Sequence, residues 1–548
     1  MTESFREICR GFFHKQVKKC RRVKCGKTLN KKEKTETMDE NKVTDTMDGE
    51  SFFKGRPNIL WIMADQHKAT ALSCLGEEAL KKDLTPNLDS LAADGILFSN
   101  AYCPSPVCGP ARAAMKTGKY PPATGMVKNL RPLRENNAYL PALLRDSGYE
   151  TGMAGKLHLF PADRDYGFEV RHLSDAPYSV YGNEDKYSEY IKWLRDNYFD
   201  AKGIDPVKIF DEDEASYDED IKRFMMGSCF REEEEHETAW TTKRTLEFLE
   251  NRDQKRPFFF YTSYFGPHQP YGVPKPYADY YSPEDITLPE SFYQEYREKS
   301  PLFQENCGVL YHHLRDSLSE ADCRELIAAY LNQVRMIDAY IGKLLRCLKE
   351  KGLYDKTMII YSSDHGENLG EHGLFFKSQM YDSCAKVPLI IKPAAYGDCG
   401  AGEPPCQRQE IVNTVDLFAT VLETAGLDWQ SLAAATPDIE SRSMKELLYR
   451  GKAGEAVGRK TNWENRTYSI VGFQRDKALC MLREGDWKLI RLAHGPQEAI
   501  YELYHMTEDP KEMEDLYPGR KEDALVKQMK ERLDCWFWRQ YANYPVTV

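Results

Sequence analysis

No run in this 548-residue chain approaches the roughly 18 consecutive apolar residues that a membrane-crossing helix needs. The N-terminus has no apolar core of the kind a secretory signal carries. A basic surplus is missing too. The net charge is −11, with 75 Lys and Arg against 86 Asp and Glu, and this balance argues against nucleic acid as a partner. No internal repeat is visible. The 15 cysteines are odd in number and scattered, so they form no recognisable disulfide framework and read as thiols of a reducing compartment. Together these absences predict a cytoplasmic protein without a transmembrane segment.

What is present is ample core material: 41% of residues are hydrophobic and 12% aromatic. The length exceeds one ordinary domain, so the expectation is two domains, or one large domain with a satellite. Residues 1–35 stand apart, with 12 Lys and Arg against 3 Glu. Phe5, Ile8, Phe12 and Phe13 fall near helical spacing, so a membrane-surface helix is one reading. A disordered basic extension over 1–54, or a gene start set too early given Met38 and Met47, is the expected one.

From Pro57 onward, short apolar runs alternate with helical patterns, which predicts an α/β domain over 55–465 with a mainly parallel sheet between helices. The runs NILWIM (58–63), 149–154, PFFFYTSYF (257–265) and TMIIYS (357–362) read as strands buried on both faces. Ser319 is placed to cap a long helix whose stripe is Leu326, Tyr330, Val334, Ile337, Ile341, Leu344 and Leu348. The acidic stretch at roughly 175–235 reads as solvated loop, with a lid as the alternative. Beyond 465, Lys477–Leu482 and Trp487–Leu492 flank a Glu-Gly-Asp turn and read as a hairpin. A further strand at Ile500–Tyr504 and a closing helix near 520–540 complete a small α+β subdomain over 466–548.

Chemistry collects where these strands end. Asp65 and Gln66 follow the first, Lys156 and His158 the second, His268 the third, and Asp364 with His365 the fourth. In open α/β sheets, ligands bind at the carboxyl ends of strands, so these residues are expected to share one crevice. Asp65, Asp364 and His365 offer hard oxygen and imidazole ligands to a divalent cation, and Gln66 a neutral carbonyl oxygen. His67 is expected behind the ligands rather than among them, and His372 in the pocket wall or in loop structure.

A second element is Cys108-Gly109-Pro110-Ala111-Arg112. Pro110 suits the first turn of a helix, which puts Cys108 near a helix N-terminus, where unpaired N–H groups favour negative charge. Positive neighbours there lower the expected thiol pKa.

CGPAR, continuing through Thr117-Gly118-Lys119, resembles the C-x-P-x-R signature of the type I sulfatases of the alkaline-phosphatase-like superfamily. RPNILWIMADQ, TPNLDSLAADGILFSNAYC, the GKLHL around Lys156, PHQP at His268 and SSDHGENLGEHGL resemble that family too, in the same order. The resemblance implies an alkaline-phosphatase-like fold and a sulfuric ester hydrolase. Cys108 is then oxidised to formylglycine by a maturation enzyme. One hydroxyl of its hydrate attacks sulfur, and the second drives sulfate out, a step an ordinary serine lacks.

The resemblance also implies roles. Asp65, Gln66, Asp364, His365 and the modified Cys108 hold one divalent cation, with Ca²⁺ the first expectation and Mn²⁺ the alternative. Arg112 holds the hydrate; Lys156 and His158 support the nucleophile and the sulfuryl oxygens. His268 donates to the leaving oxygen, Lys377 neutralises the transferring group, and Asn129 contacts the sulfuryl oxygens. Many sulfatases carry Asp-Asp where this chain has Asp65-Gln66, and Asp-Asn where it has Asp364-His365. The D-Q and D-H forms resemble the choline-sulfatase and phosphonate monoester hydrolase branch. A small-molecule or carbohydrate sulfate ester is the expected substrate, with phosphonate monoester or phosphodiester hydrolysis as the alternative.

Overall fold

The computed structural model describes residues 55–76, 83–175, 188–199, 221–226, 232–294, 317–395, 405–449, 462–472, 477–493 and 498–542. The basic segment 1–54, most of the acidic stretch, and Tyr178, Tyr181 and Tyr187 lie outside the described residues.

Eight strands form the main sheet: β1 (Asn58–Ala64), β2 (Ile96–Tyr102), β3 (Glu150–Gly155), β4 (Val170–Leu173), β5 (Phe258–Tyr264), β6 (Thr357–Ser363), β7 (Leu389–Lys392) and β8 (Cys406–Asn413). Their order is β4-β3-β5-β1-β6-β7-β2-β8. Only β7 runs against its neighbours; the other pairs are parallel. All seven residues of β5 and of β6 are buried, as expected of parallel strands covered on both faces.

Side chains alternate across the sheet, so each face gathers its own layer. Ile59, Trp61 and Met63 face α2 (Cys108–Thr117), α3 (Leu140–Asp146) and α6 (Leu417–Thr424). Leu60, Ile62 and Ala64 face α1 (Pro86–Ala93), α4 (Glu237–Asn251) and α5 (Glu320–Glu350). Ser319 and Asp322 cap α5 reciprocally, and the predicted stripe from Leu326 to Leu348 is buried. Of the polar residues buried on this helix, Asp338 holds the neighbouring helix. Asp338 accepts from the backbone N–H of Asn87 at 3.2 Å and of Leu88 at 2.8 Å, and so caps α1 from the neighbouring helix.

A second, antiparallel sheet has the order β12-β11-β10-β9, from β9 (Arg466–Val471), β10 (Leu479–Glu484), β11 (Trp487–Leu492) and β12 (Ile500–His505). The closing helix α7 (Ala524–Ala542) lays Val526, Met529, Leu533 and Phe537 against Leu482, Leu489 and Leu503. Trp536 stacks on Tyr468 with ring centroids 4.5 Å apart and meets Tyr120 edge-on at 5.0 Å, so this aromatic stretch docks on its own chain.

Eight of the nine cysteines among the described residues are free, and Cys535 is disulfide-bonded. The reading of every cysteine as a thiol therefore fails at Cys535, where odd number and scattered spacing could not reveal a single bridge. No helix among the described residues is long and apolar enough to cross a membrane.

Candidate active site

The order β3-β5-β1-β6 makes four parallel strands neighbours, and their carboxyl ends deliver Lys156, His268, Asp65 and Asp364 to one place. Helix α2 opens there on Cys108. The ligand atoms of Asp65, Cys108, Asp364 and His365 all lie within 4.8 Å of one another, and all four side chains are buried. Such a set, two carboxylates, an imidazole and a sulfur at one point, fits a divalent cation.

Each member is held from behind. His365 directs Nδ1 at the carbonyl of Gly366, 2.8 Å away, and so points Nε2 at Cys108 Sγ, 3.1 Å away. Burial opposes a proton on this ring, but Asp364 and Cys108 together outweigh it and raise the pKa. A cation would compete for the same nitrogen. Gln66, at a left-handed φ of 65°, donates its N–H to Asp364 Oδ1 at 3.0 Å. Its amide nitrogen reaches Gln269 Oε1 at 3.2 Å and Glu367 Oε2 at closer range.

Arg112 is fully buried and every guanidinium nitrogen is engaged. Nη2 meets Asp65 Oδ2 at 2.9 Å, Nε meets Asp364 Oδ2 at 2.8 Å, and Nη1 donates to the Lys156 carbonyl at 2.6 Å and to Ser263 Oγ at 2.9 Å. Through these contacts the guanidinium clamps the two aspartates together. Lys156 places Nζ 2.8 Å from Asp65 Oδ2 and over the Phe265 ring. Burial would push the Asp65 carboxyl up, but Lys156 and Arg112 hold it well below the usual range.

Lys377 puts Nζ 3.0 Å from Cys108 Sγ and 2.6 Å from Gln66 Oε1. Burial and Asp65 raise the thiol pKa, Lys377 and Lys156 lower it, and the net direction is down. His268 directs Nδ1 at the Gln269 carbonyl, 2.7 Å away. Burial first, then Lys377 and Lys156, push its pKa well below 6.5, so the ring is neutral. His158 sits at φ 53°, where its N–H is held 2.8 Å from Asp175 Oδ1, and its buried Nε2 has no hydrogen-bond partner among the described residues.

Asn129 turns Oδ1 to the Gly109 N–H at 2.9 Å and so caps the helix that carries Cys108. A Cβ at position 109 would stand 3.0 Å from that oxygen, which suits glycine there. His67 faces away from the cluster, toward Tyr361 and the Ala71 carbonyl, and burial lowers its pKa to about 4. His372 meets Gln294 Oε1 at 3.1 Å and lies against Tyr381, in the loop rather than the cluster.

Asp175, Ser263, Gln269 and Glu367 escape a reading of the sequence alone. Glu367 carries a usable signal, an acid in the same turn as Asp364 and His365; Asp175 carries none, since only folding brings it to His158.

Two family profiles match the chain: "Sulfatase" over residues 57–427 and "N-sulphoglucosamine sulphohydrolase, C-terminal" over 370–536. An arylsulfatase of Clostridium perfringens is 27% identical over 489 residues, 87% of this chain and 92% of its own. Among solved structures, a protein in complex with its substrate D-glucosamine-2-N,6-O-disulfate superposes with a TM-score of 0.67 at 23% identity, over 89% of this chain and 99% of that one. The phosphonate monoester hydrolase of Agrobacterium radiobacter gives a TM-score of 0.66 at 21% identity, over 89% and 96%. The fold is alkaline-phosphatase-like, and the chain belongs to the sulfatase family, hydrolases of sulfuric esters.

Proposed function

We propose that this sulfatase cleaves a sulfate monoester with a formylglycine made from Cys108 and one divalent cation. One observation carries the reading: Sγ of Cys108 stands at the start of α2, 3.1 Å from His365 and 3.0 Å from Lys377, inside the four-residue cluster. A maturation enzyme supplies the modification. The formylglycine hydrate offers an oxygen nucleophile and a built-in route for releasing sulfate.

The donor set fits a cation held by Asp65, Gln66, Asp364, His365 and the modified residue 108. Bound there, it polarises oxygen and offsets charge. Carboxylate and amide oxygens suit Ca²⁺, and the imidazole widens the fit to Mn²⁺. Arg112 and Lys156 keep Asp65 ionised at a fixed place, and Arg112 also holds the Asp364 side chain in position. Lys377 neutralises the sulfuryl oxygens as charge shifts during transfer. In this reading His158, through an Nε2 with no hydrogen-bond partner among the described residues, and Asn129, through its amide nitrogen, contact those oxygens too. His268 donates to the leaving oxygen.

The neutral state of the His268 ring shapes that role. It must take a proton as the anionic substrate enters, and the substrate's charge opposes the two lysines that depress its pKa. The subdomain we assign to 466–548 is supported by the packing of Met481, Ile490 and Leu492 with Leu374 and Met380, which flank Lys377 in its loop.

The substrate we assign is a small or carbohydrate sulfate ester, in line with the disulfated glucosamine bound by the structural relative. The Asp65-Gln66 and Asp364-His365 pairs favour one second reading, phosphonate monoester or phosphodiester hydrolysis, which shares the tetrahedral oxygens. Turnover of an aryl sulfate against a phenyl phosphonate decides. Sulfate turnover should dominate; phosphonate turnover higher by orders of magnitude would overturn the assignment.

A further inference from the structure

We propose that Glu367 is a positioning residue that fixes which end of the Gln66 amide faces the catalytic centre and holds the backbone beside Lys377. This rests on the metal role assigned to Gln66 above. The Glu367 carboxylate is fully buried and faces two ways. Oε2 accepts from Gln66 Nε2, while Oε1 accepts the N–H of Leu369 at 3.1 Å and that of Phe376.

The orientation of a glutamine amide follows from its partners, because its oxygen and nitrogen have nearly the same shape. Here both partners demand the same answer. Glu367 Oε1 is committed to the N–H groups of Leu369 and Phe376, and its Oε2 accepts the Gln66 NH₂. The Lys377 ammonium only donates, so it requires the Gln66 oxygen, which it meets at 2.6 Å. Gln269 Oε1, at 3.2 Å, takes the second amide hydrogen. The carbonyl oxygen of Gln66, the atom fit to bind a cation, is therefore turned inward by a residue that does not reach the centre itself.

The same carboxylate restrains Lys377. Phe376 and Ser378, on either side of it, have φ values of 67° and 88°, a region that non-glycine residues seldom occupy without an external restraint. The Phe376 N–H held by Glu367 is one such restraint.

The chemistry singles out one test. In a Glu367→Gln variant, the new amide oxygen must serve the N–H groups of Leu369 and Phe376. Its NH₂ then faces Gln66, whose amide must turn over and present nitrogen to the centre. In the double variant Gln66→Glu with Glu367→Gln, residue 66 has two accepting oxygens. One receives the new amide at position 367 and the other faces Lys377 and the cation, with the local charge count unchanged.

The measurement is titration of the metal-stripped full-length chain with Mn²⁺ and with Ca²⁺. The single variant should bind about 10- to 100-fold more weakly, the range for losing an orienting partner. The double variant should return to within about 3-fold of the parent, a rescue that a merely structural role would not give. Parent-like affinity in the single variant, or a folded double variant no better than the single, overturns the proposal. If the single variant does not fold, the double decides alone: folding with near-parent affinity supports the proposal, and failure of either overturns it. A parent chain that binds neither cation contradicts the metal assignment instead.

Discussion

The Nζ of Lys377 stands 3.0 Å from the Sγ of Cys108. The two arrive from distant parts of the chain, one at the start of α2 and the other in the loop that follows β6. Burial opposes the ammonium charge, and the neighbouring Cys108 and Asp65 charges more than restore it, so the Lys377 pKa is raised. A fixed cation beside the nucleophile position serves a transferring anion. Lys377→Met should lower kcat for an aryl sulfate about 10²- to 10³-fold, the usual cost of one electrostatic donor. Steady-state kinetics test it, and a loss under about 3-fold would remove Lys377 from the reacting centre.

Nδ1 of His268 is tied to the Gln269 carbonyl, which leaves Nε2 for the leaving-group role proposed above. Proton donation matters most when the leaving alcohol is a poor one. His268→Ala should therefore cut kcat/KM for an alkyl sulfate at least about 10-fold more than for a nitroaryl sulfate. Equal losses on both substrates would assign the ring to binding alone.

Burial pushes the Asp175 carboxyl up to about 6. In the unfolded chain the group titrates near 3.9, so the native state holds the proton over a wider range. The stability this group contributes is fully present below about pH 4 and is lost as pH rises through about 6. Asp175→Asn removes that loss. Relative to the parent, the variant should gain about 2–3 kcal/mol between pH 4 and pH 7, read from denaturant melts of both proteins. A constant difference across that window would contradict the reading.

Lys116 is buried between the rings of Trp61 and Tyr261, its Nζ 3.6 Å from each centroid and without a hydrogen-bond acceptor among the described residues. Burial first, then Arg112, drives its pKa well below 10.5. A depressed lysine costs stability wherever the unfolded chain would be protonated, and that cost shrinks as pH rises. Lys116→Met keeps the volume and removes the charge. At pH 7 it should be neutral or stabilising by about 1–3 kcal/mol, with the gain falling toward pH 10. A loss above about 1 kcal/mol would mean that the cation–ring contacts outweigh burial.

The sequence reveals the frame of this site better than its wiring. NILWIM and TMIIYS show as strands because a both-faces-buried strand must be apolar throughout, and Ser319 shows as a cap because its partner lies three residues on. The site residues are legible because a parallel sheet sends strand ends to one crevice. The role of Arg112 is not, since its partners Asp65 and Asp364 lie 47 and 252 residues away. Asp175 and Glu367 are hidden for the same reason: each acts on a backbone N–H or amide that only the folded chain brings near. The stretch 175–235, for which loop and lid are the two readings, lies largely outside the described residues; within it, Tyr190 packs against Trp193 and Trp240.

The chemical state of residue 108 decides whether this site is a formylglycine sulfatase centre. Peptide mass analysis of an active preparation made together with a maturation enzyme reads it directly. The peptide spanning Cys108 should be lighter by about 18 Da, as conversion of a thiol to an aldehyde requires, with the modified fraction tracking specific activity. A fully active preparation whose Cys108 remains an unmodified thiol would contradict the central claim.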